Sequence, residues 1–164
     1  MNGILLVNHF LKGEKYSTLH NHLVSAAKKC SINLDIKTNL ELATQSANAD
    51  FVLFWDKDIN LAKRLEKSNI PVFNSASAIE KCDDKGLTYI ELDKIVPQPK
   101  TLISPKCYFK SDMSEFVKKA IGILGLPLVF KESFGSFGAQ VFLCNSENDI
   151  YSHISDKPFI LQKF

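Results

Sequence analysis

The chain has 164 residues, 45% of them hydrophobic, and its lysines and arginines outnumber its aspartates and glutamates by 20 to 18. This length and composition predict one ordinary domain or two small ones with a true hydrophobic core. The small, scattered charge gives no reason to expect a nucleic acid partner. No apolar run reaches the ~18 residues of a membrane helix and the start lacks a secretory signal, so we expect no membrane partner and a cytoplasmic location.

The first part of the sequence alternates between strand and helix patterns. Apolar or alternating runs predict strands at residues 4–7, 32–37, 51–55 and 71–73. Apolar residues at three- and four-residue steps predict helices between these strands, with expected N-caps at Ser17, Asn39 and Asp58. This alternation predicts a parallel sheet covered by helices, a Rossmann-like α/β arrangement. The turn over 8–13 lacks GxGxxG, so no dinucleotide cradle is expected there.

The motif Pro97-Gln98-Pro99 marks the expected boundary between two folding units. Two prolines in three residues favour extended backbone, so we place the boundary near Val96 and predict domains at 1–96 and 97–164. The later patterns predict strands at 100–103, 127–132, 140–144 and 159–163, and helices at about 112–124 and 147–154.

The stretch KESFGSFGAQVFL at 131–143 places two glycines after an apolar strand. Its spacing fits neither the Walker loop nor a dinucleotide fingerprint. The β-rich residues that follow predict a hairpin between two antiparallel strands. Because Gly135 and Gly138 lack Cβ atoms, the main-chain amides of Ser136 and Phe137 could approach an anion closely. A plain hairpin turn is the simpler alternative.

Two lysines accompany this hairpin. Lys131 ends an otherwise apolar strand, where an ammonium is costly unless it meets a negative partner. Lys85 lies in the first turn of a helix that Asp83 and Asp84 can cap, where a cation opposes the helix dipole by only a few tenths of a kcal/mol. The simpler alternatives are a snorkelling surface side chain for Lys131 and chance placement for Lys85.

The sequence offers no recognisable set of metal ligands. His20 and His22 are two residues apart, so on a helix they point in different directions, and we interpret both as surface residues. The cysteines lie far apart, with no CxxC pair. These spacings therefore give no reason to expect a metal site in this chain.

Four stretches, FNSASAIEKCDDKGLT, PQPKT, PLVFKESFGSFGAQV and PFILQKF, together resemble the first half of an ATP-grasp enzyme, closest to the RimK-like alpha-L-glutamate ligases. The resemblance covers nearly the whole chain and is strongest from Phe73 onward. It implies a Rossmann-like pre-ATP-grasp domain with a parallel sheet, followed by the α+β N-terminal lobe of an ATP-grasp domain. Such enzymes hold ATP between two lobes, and we expect this chain to be truncated before the second.

The resemblance also implies which residues hold ATP. Lys85 and Lys131 would reach its phosphates, with Lys131 also near the adenine, and the hairpin at 136–139 would close over the β- and γ-phosphates. The main chain at 162–164 would read the edge of the adenine. The implied nucleotide-binding residues are Lys85, Lys131, Gly135, Ser136, Phe137, Gly138, Ala139, Gln162, Lys163 and Phe164. The family has a further glycine near Gln140, and its absence here leaves open how the far side of the loop approaches phosphate.

The reaction that the resemblance implies is phosphoryl transfer from ATP to a carboxylate. The resulting acylphosphate is attacked by an amine, such as that of an amino acid, while Mg²⁺ ions bridge the phosphate oxygens. In such enzymes the metal ligands and the carboxylate that holds the ribose belong to the second lobe. We therefore expect half of a nucleotide site, no metal site and no ligation by this chain alone. Assembly into a homo-oligomer stays open.

Two other functions remain as alternatives. The strand at 51–55 delivers Asp56 to its carboxyl end, where a receiver-like signalling domain carries its phosphoacceptor. Asn8 and His9 stand where such a domain needs acidic residues, and solvation or helix capping explains Asp56 and Asp58 more simply. A noncatalytic nucleotide-binding module that keeps the lysines and the hairpin is the second alternative.

Overall fold

The computed structural model describes residues 1–11 and 13–164. These residues form two compact units, Met1–Glu80 and Lys81–Phe164. The boundary expected near Val96 falls inside the second unit, so the limits 1–96 and 97–164 stay a prediction.

The described part of the first unit alternates between strands and helices. The elements are β1 Asn2–Val7, α1 Glu14–Lys29, β2 Asn33–Thr38, α2 Asn39–Thr44, β3 Phe51–Trp55, α3 Ile59–Lys67, β4 Val72–Phe73 and α4 Ala76–Asp83, whose last three residues belong to the second unit. The strands form a parallel sheet in the order β2-β1-β3-β4. The predicted strands and the predicted parallel α/β arrangement are therefore confirmed.

Helices cover both faces of the parallel sheet. Successive side chains of a strand point to opposite faces, so β1 contributes to two separate apolar layers. Ile4 and Leu6 join Phe54 in a core that residues of α2, α3 and α4 close. Leu5 and Val7 lie on the other face and pack against α1. Burial of β1 on both faces explains why its sequence is a continuous apolar run.

Helix α1 begins one turn earlier than its sequence pattern predicts. The carbonyl of Gly13 accepts hydrogen bonds from the amides of Tyr16 and Ser17, so the helix starts at Glu14. The prediction that Ser17 is the N-cap is wrong, because this residue lies inside the helix. His20 is only 8% exposed, so its interpretation as a surface residue is also wrong, and burial lowers its pKa.

The N-caps of α2 and α3 show how short polar side chains begin helices in this unit. Thr38, rather than Asn39, caps α2, and it forms a reciprocal capping box with Glu41. Asp58 caps α3 as predicted, because its carboxylate accepts a hydrogen bond from the amide of Leu61 at 3.1 Å. The first of these caps leaves the side chain of Asn39 available for a loop contact.

The described part of the second unit combines an antiparallel sheet with helices. The elements are α5 Lys85–Glu91, β5 Thr101–Ile103, a short 3₁₀ helix Lys110–Met113, α6 Ser114–Leu124, β6 Leu128–Glu132, β7 Val141–Cys144, α7 Glu147–His153 and β8 Phe159–Lys163. The sheet order is β5-β8-β6-β7, and each neighbouring pair is antiparallel. The predicted hairpin between β6 and β7 is confirmed.

The core of the second unit lies between the sheet and two helices. Val117 of α6 and Ile150 of α7 are fully buried and belong to the same apolar cluster as Leu161 of β8. The ring of Phe130 stacks on that of Phe159, with the ring centroids 4.6 Å apart. These contacts leave the opposite face of the sheet for the polar residues of the candidate site.

Two further observations concern the surface of the chain. None of the helices within residues 1–11 and 13–164 combines the length and the apolar character that crossing a membrane requires. Trp55, the single tryptophan in the sequence, ends β3 and is 45% exposed.

Candidate functional site

One face of the antiparallel sheet carries a row of polar side chains. Phe130 points into the core, so Lys131, the next residue of β6, points to the other face. Lys131 lies opposite Ile160 on β8, and Gln162 of β8 lies opposite Thr101 on β5. Strand register therefore brings three polar side chains from three strands onto one surface.

A chain of hydrogen bonds fixes the orientation of these side chains. The ammonium of Lys131 donates to Oε1 of Gln162 at 2.5 Å. Nε2 of Gln162 donates to Oγ1 of Thr101 at 2.8 Å, and that hydroxyl donates to the carbonyl of Pro99 at 2.9 Å. Because the amide nitrogen of Gln162 is committed to Thr101, its oxygen must face Lys131.

The environment of Lys131 disfavours its positive charge. Burial is the larger cause that lowers the pKa of the ammonium, and the nearby charge of Lys85 lowers it further. Its hydrogen bond is to a neutral amide, and no carboxylate among the described residues forms an ion pair with it. A partly buried cation without a negative partner suits an anionic ligand.

Lys85 approaches the same region from a different element. It is the first residue of α5, whose N-cap Asp84 accepts a hydrogen bond from the amide of Gly86 at 2.7 Å. The backbone amide of Lys85 donates to the carbonyl of Ser133 at 2.9 Å. Its ammonium lies 3.4 Å from the carbonyl oxygens of Ser133 and Gly135. The structure thus brings both predicted lysines to the base of the glycine hairpin.

Residues 133–140 connect β6 to β7 and form the glycine hairpin. The base is closed by a hydrogen bond from the amide of Glu132 to the carbonyl of Gln140 at 3.1 Å. The tip projects outward, because Phe137 is 92% exposed and has a positive φ of 60°. The amides of Phe137 and Gly138 have no acceptor among the described residues. The tip therefore offers main-chain donors at the surface.

A tight turn shapes the tip of the hairpin. The amide of Ala139 donates to the carbonyl of Ser136 at 3.3 Å, and the amide of Val141 donates to that of Gly138 at 3.2 Å. Gly138 has a φ of 74°, in the left-handed region that favours glycine. All five predicted hairpin residues, 135–139, therefore lie in one loop, and their contact with phosphate stays a prediction.

Gln140 occupies the space beside Gly135. Gly135 has a φ of 147°. A Cβ atom added at this residue would lie only 2.2 Å from Oε1 of Gln140, which is closer than van der Waals contact allows. That oxygen is buried and has no hydrogen-bond partner among the described residues. The side chain of Gln140 therefore packs under the hairpin, where it supports the loop from inside.

The residues of the predicted adenine hinge behave differently from one another. Gln162 acts through its side chain, which holds Lys131. The amide of Lys163 donates to the carbonyl of Lys100 at 2.8 Å as part of the sheet, so this N–H is not free to read a base. Phe164 is 76% exposed. The role of this segment in adenine recognition stays a prediction.

Sequence reasoning missed two side-chain roles at this site. In the sequence Thr101 is only one residue of the PQPKT stretch, whereas in the structure its hydroxyl positions Gln162. Gln140 has no role predicted from the sequence, whereas in the structure its side chain packs against Gly135. The alternation of polar residues on β5 and β8 could have suggested the first contact. The second depends on the loop conformation and has no signal in the sequence.

Within the described residues, no three His, Cys, Asp or Glu side chains are grouped closely enough to hold a metal ion. The two ammonium groups of the site are cations, and the site contributes a neutral amide and backbone carbonyls beside them. Its chemistry suits an anion such as a phosphate rather than a cation.

Comparison with solved structures shows the fold of the chain. A RimK domain ATP-grasp protein from Sphaerobacter thermophilus matches 99% of this chain and 64% of its own, with a TM-score of 0.73 and 20% identity. This likeness establishes the ATP-grasp fold, in which a parallel-sheet unit precedes an antiparallel one.

Comparison of sequences identifies the family. The profile of the RimK-like ATP-grasp domain matches residues 75–164, more than half of the chain. The chain belongs to the RimK-like ATP-grasp family.

Two curated proteins are similar to this chain in sequence. An uncharacterized protein of Mycoplasma pneumoniae is 31% identical over 145 residues, which are 81% of this chain and 50% of that protein. The alpha-aminoadipate–LysW ligase LysX of Saccharolobus solfataricus is 32% identical over 101 residues, 61% of this chain and 34% of the ligase. The chain spans about half the length, or less, of the curated relatives it matches.

We expect Lys131 to titrate at a lower pH than an ordinary lysine, whose pKa is about 10.4. Its burial and the charge of Lys85 both disfavour the ammonium. A ¹³Cε NMR titration of the whole chain measures this midpoint directly. The native state then binds fewer protons than the unfolded state, so the stability contributed at this position rises with pH through the window below 10.4.

Lys119 is an internal control for this titration. Its ammonium pairs with Glu115 at 2.7 Å on the exposed face of α6, which raises its pKa. The two lysines should therefore shift in opposite directions, and the substitution Lys85→Met should return the pKa of Lys131 toward its ordinary value. Equal midpoints for Lys131 and Lys119 would contradict the geometry of the site.

We expect Gly135→Ala to destabilise the second unit by roughly 1–3 kcal/mol, because a residue with Cβ is strained at this positive φ. The added Cβ also displaces Gln140. The matched control is Gly122→Ala on the exposed face of α6, where a Cβ meets nothing within 4 Å. That change should stabilise the helix by about 0.8–1.0 kcal/mol. Amide hydrogen exchange of β6 and β7 measures both effects, and an unperturbed Gly135→Ala hairpin would refute the packing described here.

Proposed function

We propose that this chain supplies the ATP-binding half of the active site of an ATP-dependent carboxylate-amine ligase. The observation that carries the proposal is the convergence of Lys85 and Lys131 at the base of a glycine hairpin, within the region that matches the family. Lys131 is partly buried and lacks an anionic partner among the described residues. A nucleotide phosphate would supply that missing charge.

The chemistry of the proposal is electrostatic. The two ammonium groups attract the phosphates as point charges, while the exposed amides of Phe137 and Gly138 donate hydrogen bonds to phosphate oxygens. Fixed donors of this kind stabilise the charge that develops when a phosphoryl group is transferred to a carboxylate. The acylphosphate formed is then attacked by an amine to give an amide bond. The ligase named among the relatives supports this reaction class.

The finer assignment is ligation of an amino acid, in the manner of the RimK-like glutamate ligases. It rests on the family and on the motifs around Lys131, whereas the carboxylate substrate and the amino acid remain unspecified. ATP, a carboxylate and an amino acid are the proposed small-molecule partners. A cytoplasmic location fits this chemistry, because ATP is available there.

Magnesium is expected with the nucleotide but does not fit the residues of this chain. A bound Mg²⁺ ion would neutralise charge on the nucleotide phosphates. The described residues contain no cluster of acidic ligands that could hold it. We therefore derive no step through the metal, and its protein ligands are proposed to lie in the second lobe of the complete enzyme.

The family assignment argues against the receiver-like alternative. The contacts of Asp56 in the structure argue against it as well. One carboxylate oxygen of Asp56 accepts hydrogen bonds from Asn8 and from the amide of Lys57, and the other is buried. A receiver domain also needs acidic side chains after β1, where this chain has Asn8 and His9. A noncatalytic nucleotide-binding module stays the second candidate, because the lysines and the hairpin serve binding as well as catalysis.

We expect Lys131→Met to weaken ATP binding by at least tenfold, because it removes the buried ammonium and keeps a side chain of similar length. Isothermal titration calorimetry of the whole chain with ATP, with and without MgCl₂, measures the dissociation constant. The matched control is Lys119→Met, which removes the same charge from the exposed face of α6. Equal loss in both variants would reduce the effect to overall charge, and no binding by the wild type would overturn the proposal.

We also expect no ligation by residues 1–164 alone. The family places the metal ligands and the ribose-binding carboxylate in a second lobe, and the acidic cluster such a site needs is missing from the described residues. The measurement is release of inorganic phosphate from Mg-ATP in the presence of a panel of carboxylates and amino acids. Turnover above the background of a Lys131→Met sample would refute the half-site assignment.

A further inference from the structure

The first unit contains a second polar site that the nucleotide site does not use. Its position follows from the sheet order β2-β1-β3-β4. The strand that follows β1 in the chain, β2, lies on one side of the sheet, and the strand that follows β3, β4, lies on the other side. In parallel α/β sheets, ligands bind in the crevice where the direction of winding changes, at the carboxyl ends of the strands. Here that crevice lies between the ends of β1 and β3.

Two polar residues occupy this crevice. Asn8 follows β1 and Asp56 follows β3, and the strand register pairs the residues just before them, Val7 with Trp55. Nδ2 of Asn8 donates to Oδ1 of Asp56 at 2.9 Å. Oδ1 of Asn8 in turn accepts from the amide of Phe10 at 2.8 Å. Because both ends of the Asn8 amide are engaged, its orientation is fixed.

The turn after β1 is held in place by a second contact. The amide of His9 donates to Oδ1 of Asn39, the first residue of α2, at 2.9 Å. The same oxygen accepts from the amide of Leu40 at 3.0 Å. The crevice is therefore built from residues at the ends of three adjacent strands, and its geometry is set by hydrogen bonds before any ligand arrives.

The carboxylate of Asp56 is only half satisfied. Oδ1 accepts from Asn8 and from the amide of Lys57, whereas Oδ2 is buried and has no hydrogen-bond partner among the described residues. Nor does Asp56 form an ion pair with any of them. A buried carboxylate oxygen without a donor is costly, so such an atom calls for a partner that binds there.

We infer that Asp56 and Asn8 form a recognition site for a primary ammonium group carried by a small molecule. Oδ2 can only accept, so its partner must donate, and a cation also supplies the missing counter-charge. Asn8 holds Oδ1 and leaves Oδ2 to the ligand. The site lies wholly within the first unit and differs from the lysine and hairpin site in both charge and position in the chain.

The connection to a ligase substrate rests on the proposed function. A carboxylate that hydrogen-bonds an ammonium stabilises its charged form, whereas attack on an acylphosphate needs a neutral amine. The group held at Asp56 is therefore one that identifies the substrate and does not react. Such a site selects an amino acid over a simple carboxylic acid as the ligand of the first unit.

The test is a ¹H–¹⁵N NMR titration of the whole chain with methylammonium chloride, followed at the amides of Asn8, Asp56 and Lys57. Tetramethylammonium chloride at equal ionic strength is the matched probe, because it carries the same charge but no N–H donor. We expect methylammonium to bind at least tenfold more tightly than tetramethylammonium. Equal responses, or no saturable response to methylammonium, would overturn the inference without requiring any variant.

The variant Asp56→Asn sharpens the test. It keeps an oxygen for Asn8 and Lys57 but replaces Oδ2 with an N–H donor and removes the charge, so methylammonium binding should fall at least tenfold. The control Asp35→Asn removes an exposed carboxylate from β2 of the same unit and should leave binding within twofold. Wild-type affinity in Asp56→Asn, or equal loss in both variants, would also overturn the inference.

Titration of the same samples with ATP separates this inference from the proposed function. Asp56→Asn should leave ATP binding unchanged, and Lys131→Met should leave methylammonium binding unchanged. Methylammonium binding without ATP binding would refute the proposed function and keep the ammonium site. ATP binding without methylammonium binding would refute the ammonium site and keep the proposed function.

Discussion

The partly buried ammonium of Lys131 is the constraint on which the candidate nucleotide site depends. Burial and the neighbouring charge of Lys85 both disfavour this cation, and its hydrogen-bond partner is the neutral amide of Gln162. Structural ion pairs in proteins normally match a buried charge with an opposite one. The protein instead keeps two positive groups close together beside a loop that donates hydrogen bonds, an arrangement that is stable only at some electrostatic cost. A bound polyanion would offset that cost, which is the role that the proposed function gives to the nucleotide.

The two units position their polar side chains in different ways, because their sheets differ. The parallel unit places side chains at the ends of strands, where Asn8 and Asp56 meet at a change in winding direction. The antiparallel unit places side chains along one face, where strand alternation aligns Lys131 with Gln162. One arrangement presents a negative group and the other presents positive groups.

Much of the fold could be predicted from local sequence, because the strands at 4–7 and 51–55 are buried on both faces and their apolar runs are unmistakable. The hairpin was also predictable, since its glycines and β-rich flanks are local signals. The N-terminus of α1 differs from the one its sequence pattern predicts, because the carbonyl of Gly13 begins the helix and residue type does not reveal this backbone contact. The link between Lys131 and Gln162 depends on the register of strands far apart in the chain. The contact between Gln140 and Gly135 depends on a loop conformation, so neither could be derived from spacing alone.

The placement of Trp55 has a practical optical consequence. Trp55 carries the single indole of the chain. It ends β3, one residue before Asp56, and is partly exposed to solvent. Its emission therefore reports on the parallel-sheet unit. The antiparallel unit has tyrosines but no indole, so fluorescence excited at the red edge of the protein spectrum distinguishes the two halves without any label.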